Sequence, residues 1–142
     1  MTEPVTHHVG ITVADLDRMV AFYTDVFGFD VAAEFTAEGE GFATAVDVDG
    51  ASADFVHLDA GGCRLELVAY DPQGTATDDQ DIHQPGAAHP AFEVDEVDAL
   101  YESLPDEITT LSPPQTTSTG TRICFLRDPE GNLVEFLNPN PE

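Results

Sequence analysis

Lysine is absent from the chain, and the only basic residues apart from histidine are Arg18, Arg64, Arg122 and Arg127. So few cations exclude routine binding to a phosphate backbone, which needs a basic stripe, and disfavour docking on anionic lipid. Cysteine is confined to Cys63 and Cys124, too little for a disulfide framework or a Cys-based zinc ribbon. No apolar run approaches the ~20 residues a membrane span needs. The opening MTEPVTHHVG lacks the basic-then-apolar order of a signal peptide. Together these absences predict a soluble, cytoplasmic protein with no nucleic-acid or membrane partner.

Acid is abundant instead. The 142 residues include 28 Asp and Glu, for a formal net charge of -24, while 42% of the chain is hydrophobic, enough for a folded core. Self-repulsion at this charge opposes a compact state. In molar salt the Debye length falls to ~3 Å and the repulsion is largely screened. The composition therefore predicts a halophilic protein working in a salt-loaded interior. It describes the solvent and not the chemistry.

The chain repeats itself. HVGITVADLDRMVAFY from His8 lies over HPAFEVDEVDALYESL from His89, and LELVAY from Leu65 over VEFLNP from Val134. A turn precedes each member of the second pair, DAGG at 59–62 and DPEG at 128–131. The reading is a single domain, 1–142, made of module one at 1–71, a Pro/Gly/Asp-rich linker at 72–87 and module two at 88–142.

Alternation and helical spacing predict the same order in each half. In the first, residues 5–13 read as a strand. Asp15 is an N-cap for a helix carrying Leu16, Met19, Val20, Tyr23, Val26 and Phe27, stopped by Gly28. Residues 29–36 are a strand, 39–48 fit a short helix or a strand equally, and 54–59 with 63–69 form a hairpin about 60–62. In the second, 88–95 is a strand, 97–104 a helix, and 107–111, 121–127 and 132–137 are strands. The predicted class is α+β, two tandem βαβββ modules whose curved mixed sheets form a cup.

Period-2 geometry sorts the side chains. His8, Glu66, His89 and Glu135 all fall on the helix-free face of their strands, where charge among apolar neighbours is unwelcome without a function. Two imidazoles and two carboxylates make a sensible shell for one divalent transition ion, Zn, Ni, Co, Mn or Fe. His7 alternates away from His8. His57 has no partner in the repeat, and His83 lies in the linker, so neither is assigned a role.

These residues resemble the vicinal oxygen chelate superfamily, the glyoxalase/bleomycin resistance/dioxygenase fold, through HHVGITVADLDRMVAFYTDVFGF at 7–29, RLELVAY at 64–70, HPAFEVDEVDAL at 89–100 and FLRDPEGNLVEFLNP at 125–139. The resemblance implies metal ligands from the first and last strands of each module, which fall on His8, Glu66, His89 and Glu135. It also implies a homodimer. A glutamate at 66 is similar to glyoxalase I-like enzymes. Extradiol dioxygenases and fosfomycin-modifying enzymes have no carboxylate there, methylmalonyl-CoA epimerases usually have glutamine, and antibiotic-sequestering members have lost the ligands altogether.

The implied function is a metal-dependent lyase or isomerase of glyoxalase I (lactoylglutathione lyase-like) type. It would act on a small hydroxy-carbonyl compound, such as a hemithioacetal, by proton transfer through an enediolate. Glu135 is the implied base and Glu66 the other candidate. The alternatives are an extradiol-type dioxygenase, a CoA-ester epimerase and a metal-free small-molecule or antibiotic-binding protein. Glutathione-using members carry an arginine and an asparagine where this chain has Thr12 and Tyr70, and only Arg64 and Arg122 remain as candidates to hold glutathione's carboxylates.

Overall fold

A computed structural model describes residues 3–141. The chain divides into two compact units, 1–76 and 77–142. Among the described residues there are two four-stranded mixed sheets and three helices, an α+β architecture of two βαβββ modules.

The first unit runs β1 (Val9–Thr12), α1 (Leu16–Phe27), β2 (Asp30–Ala37), α2 (Glu40–Val46), β3 (Ser52–Asp59) and β4 (Arg64–Asp71). Its sheet order is β1-β4-β3-β2, with β1 parallel to β4 and the other pairs antiparallel. Helix α1 starts where the Asp15 carboxylate accepts the Arg18 N–H at 3.1 Å. It ends where Gly28 turns left-handed at φ 73° and donates its own N–H to Thr24 O. The helix packs on β3 and β4. Met19, Phe22 and Tyr23 are buried on its inner side, and Val56, Leu58, Leu65 and Leu67 are buried on the strands. Each such side chain contributes roughly 1.5–3 kcal/mol of transfer free energy. The ambiguous stretch 39–48 resolves as helix α2, whose Phe42 packs against the cluster of Ala53, Phe55 and Val68.

The second unit runs β5 (Ala91–Glu93), α3 (Val97–Ser103), β6 (Gln115–Thr116), β7 (Arg122–Arg127) and β8 (Leu133–Asn138), in sheet order β5-β8-β7-β6. Helix α3 packs on β7 and β8, where Leu126, Val134 and Phe136 are fully buried. The β7–β8 turn is built on Asp128. Its Oδ1 accepts the backbone N–H groups of Glu130 and Asn132, each at 2.9 Å, and the Asn132 amide binds the same carboxylate.

One element differs from expectation. Residues 107–111 do not form a strand. Ile108 N–H turns back to Pro105 O, and Thr110 makes an isolated bridge to Leu126. Pro113 and Pro114 then remove two consecutive N–H donors, and pairing with β7 resumes at Gln115. Strands β1 and β5 are also shorter than the alternating pattern, although single bonds extend their pairing, Val13 N–H to Val68 O, Glu135 N–H to Pro90 O and Val94 N–H to Leu137 O.

Candidate metal centre

Strands β1 and β4 run parallel with Gly10 opposite Glu66. His8, two residues earlier, shares the face of Gly10, and its Nε2 stands 3.3 Å from Glu66 Oε2. The second unit repeats the arrangement. Ala91 lies opposite Glu135, His89 is two residues earlier, and His89 Nε2 is 3.4 Å from Glu135 Oε1. In both units a largely buried carboxylate sits beneath an imidazole about one-third exposed, with side-chain exposures of 11% and 37% for Glu66 and His8, and 15% and 35% for Glu135 and His89.

The donor spacing fits a metal ion. Two ligands about 2.1 Å from one ion stand about 3.0 Å apart at a right angle and about 3.4 Å apart at the tetrahedral angle. The 3.3 and 3.4 Å separations fall in that range, and nitrogen with oxygen suits Zn, Ni, Co, Mn or Fe better than Mg or Ca.

His57, assigned no role in the sequence, belongs to this cluster. It is 3% exposed, and its Nε2 lies 2.7 Å from Glu66 Oε2. His8, His57 and Glu66 each offer a donor atom within 4.8 Å of the others. The signal was the hairpin register. Asp59 pairs with Arg64, so counting outward places His57 opposite Glu66. The repeat does not carry this signal, because the position opposite Glu135 is Phe125, whose ring meets His89 edge-on at 5.0 Å.

His7 also departs from expectation. Its Nδ1 approaches His8 Nδ1 at 2.9 Å, because strand β1 begins only at Val9 and strict alternation does not reach back to His7. His83 is exposed.

Three of the four arginines are engaged. Arg64 Nη1 lies 3.4 Å from His57 Nδ1. Arg122 grips Asp98 with two bonds, 2.7 and 3.1 Å, and this bonding holds the Asp98 carboxyl below its usual range. Arg127 donates to the carbonyls of Gly131 and Gln80. Beyond His57, the same face of β3 carries Phe55, which stacks on Phe35 at 4.9 Å, and Phe42 stacks on Tyr70 at 6.2 Å. The wall beside His57 and Glu66 is thus aromatic.

Residues 6–136 match the sequence profile of the Glyoxalase/Bleomycin resistance protein/Dioxygenase superfamily. A 2-epi-5-epi-valiolone epimerase from Actinomyces sp. is 33% identical over 147 residues, covering 93% of this chain and 78% of the epimerase. A glyoxalase family protein from Bacillus cereus superposes with a TM-score of 0.85 at 19% identity, covering 96% of this chain and 95% of its own. The trypanothione-dependent glyoxalase I of Leishmania major gives a TM-score of 0.64 at 22% identity, covering 96% and 88%.

Proposed function

Because the chain belongs to the Glyoxalase/Bleomycin resistance protein/Dioxygenase superfamily, we propose that it is a metal-dependent isomerase or lyase of glyoxalase I type. It moves a proton on a small, uncharged hydroxy-carbonyl compound. The observation that carries this reading is the repeated register, in which a histidine two residues before the position facing a glutamate brings N and O donors to 3.3 and 3.4 Å. The proposed ligands are His8 with Glu66 and His89 with Glu135.

A divalent ion held by these residues would supply Lewis acidity to the oxygens of a hydroxy-carbonyl substrate. Glu135 is the proposed base. It faces Phe125, which offers no hydrogen bond, whereas Glu66 is held by His57 at 2.7 Å. A carboxylate without that tether is the one able to leave its position, take a proton from carbon and return it. Return to the neighbouring carbon gives a glyoxalase outcome, and return to the opposite face of the same carbon gives an epimerase outcome. The identity to an epimerase supports the second.

Two residue differences and two arginine contacts support an uncharged substrate. Thr12 and Tyr70 stand where glutathione-using relatives carry Arg and Asn, Arg122 is paired with Asp98, and Arg64 is turned to His57. Glutathione is therefore a poor cosubstrate under this reading. Two imidazoles and one carboxylate in the first unit favour a second reading, a non-haem Fe(II) oxygenase.

Metal analysis and turnover test the proposal together. Purified protein should carry one divalent transition ion per donor set, and His8→Ala/His89→Ala should lose it. Proton exchange at the α-carbon of a hydroxyketone or hemithioacetal should proceed with Ni, Co, Mn or Zn. Full occupancy in the double variant would sink the ligand assignment. Turnover confined to Fe(II) and a catechol would favour the second reading, and wild-type protein without metal would leave a binding protein.

A further inference from the structure

We infer that His57 is a positioning residue. Its Nε2–H donates to Glu66 Oε2 and orients that carboxylate for the ion, without His57 itself becoming a ligand. This rests on the reading that Glu66 binds metal.

Two independent distances point the same way. The 2.7 Å between His57 Nε2 and Glu66 Oε2 is a charge-assisted hydrogen-bond length, and it is shorter than the spacing of about 3.0–3.4 Å expected for two donors on one ion. On the other side of the ring, Arg64 Nη1 sits 3.4 Å from His57 Nδ1. A guanidinium can only donate, so Nδ1 carries the lone pair and the ring's proton lies on Nε2. A protonated Nε2 has no lone pair for a metal, whereas it is correctly equipped to bond a carboxylate.

The surroundings hold this arrangement in place. His57 is 3% exposed, and the edge of Phe35 lies against its ring at 5.2 Å. An ionised carboxylate offers about four acceptor sites on two oxygens, so the bond to His57 takes one site and leaves the remainder for the ion. A histidine that holds a ligating carboxylate by hydrogen bond does for oxygen what outer carboxylates do for ligating histidines, and such partners typically contribute about 10–100-fold to metal affinity. The counterpart position in the second unit is Phe125, so the device is confined to Glu66.

The test is Zn(II) affinity, measured by competition with a chromophoric chelator on wild type, His57→Phe and His57→Gln. Phenylalanine copies the residue at the counterpart position and removes the donor. It should weaken binding about 10–100-fold. Glutamine keeps an N–H able to reach the same oxygen and should restore most of the affinity. Wild-type affinity in His57→Phe would overturn the proposal. Equal loss in both variants would also overturn it, because it would mean that the ring contributes a lone pair and not a proton.

A second measurement needs no variant. Long-range nitrogen–proton correlation on the metal-free wild type should find the His57 proton on Nε2 with Nδ1 bare. A proton on Nδ1 with Nε2 bare would overturn the assignment. If wild type binds no Zn(II), the proposed function fails, while the tautomer measurement still decides the His57–Glu66 bond.

Discussion

At the scale of single residues the two glutamates are chemically alike and differently placed. Glu66 accepts from buried His57 at 2.7 Å, while Glu135 faces the ring of Phe125 across the strand pair. Under the proposed chemistry, Glu135→Gln should lower turnover by about 100-fold or more, the range for losing a general base. Glu66→Gln should act mainly on metal affinity. Steady-state rates and solvent deuterium uptake at the reacting carbon, read beside metal titrations, separate the two effects. Equal losses of rate and metal in both variants would remove the division of labour.

Cys124 carries a second residue-scale prediction. Burial pushes its thiol up to about 11 from the ordinary 9.0. The folded state therefore favours the neutral thiol. Its contribution is fully present below pH 9 and is lost as pH rises from 9 through about 11. Cys124→Ala should flatten the alkaline fall in stability over that window by roughly 1–2 kcal/mol, measured by urea unfolding at stepped pH. An unchanged slope would dismiss the thiol as its source.

Among the elements, strand β8 depends on the turn before it. The Asp128 side chain is the acceptor that ties Glu130 N–H, Asn132 N–H and the Asn132 amide together, and Asp128 is 4% exposed. Removing it leaves partly buried donors without their acceptor, which costs about 1–3 kcal/mol. Asp128→Ala should therefore lower the unfolding free energy by that amount. It should also weaken metal binding, because the turn sets the phase in which β8 presents Glu135. Asp15→Ala at the start of α1 should cost only ~1 kcal/mol and leave metal affinity unchanged. Denaturant melts with parallel metal titrations check both, and a fall in affinity in Asp15→Ala would contradict this separation.

For the whole molecule, charge dominates. A net charge of -24 is scarcely neutralised from within. Arg122 pairs with Asp98, while Arg127 spends its donors on main-chain carbonyls and Arg64 faces an imidazole. Raising ionic strength from 0.1 M to 1 M shortens the Debye length from ~10 to ~3 Å. The melting temperature should rise by about 5 °C or more, and low-salt dialysis should destabilise the protein. Identical melting curves in dilute and molar KCl would refute the halophilic reading.

Much of the architecture was legible in the sequence because it rests on local rules. Asp15 and Gly28 mark the ends of α1 through cap chemistry. Alternation assigned Glu66 and Glu135 to the helix-free face, and repetition located a His/Glu pair in each module. What escaped depends on pairing between strands. Residues 107–111 alternate like a strand, yet Pro113 and Pro114 move the fourth strand of that sheet to 115–116, and no local propensity encodes that competition. His57 carries no signal in the repeat, which is broken there by Phe125. Its importance comes from facing Glu66 across the β3–β4 hairpin with Arg64 at its back. A hydrogen bond between residues nine apart exists only once antiparallel pairing has folded one strand against the other. The residue types therefore determined which chemistry was possible, and the tertiary register decided which imidazole holds which carboxylate.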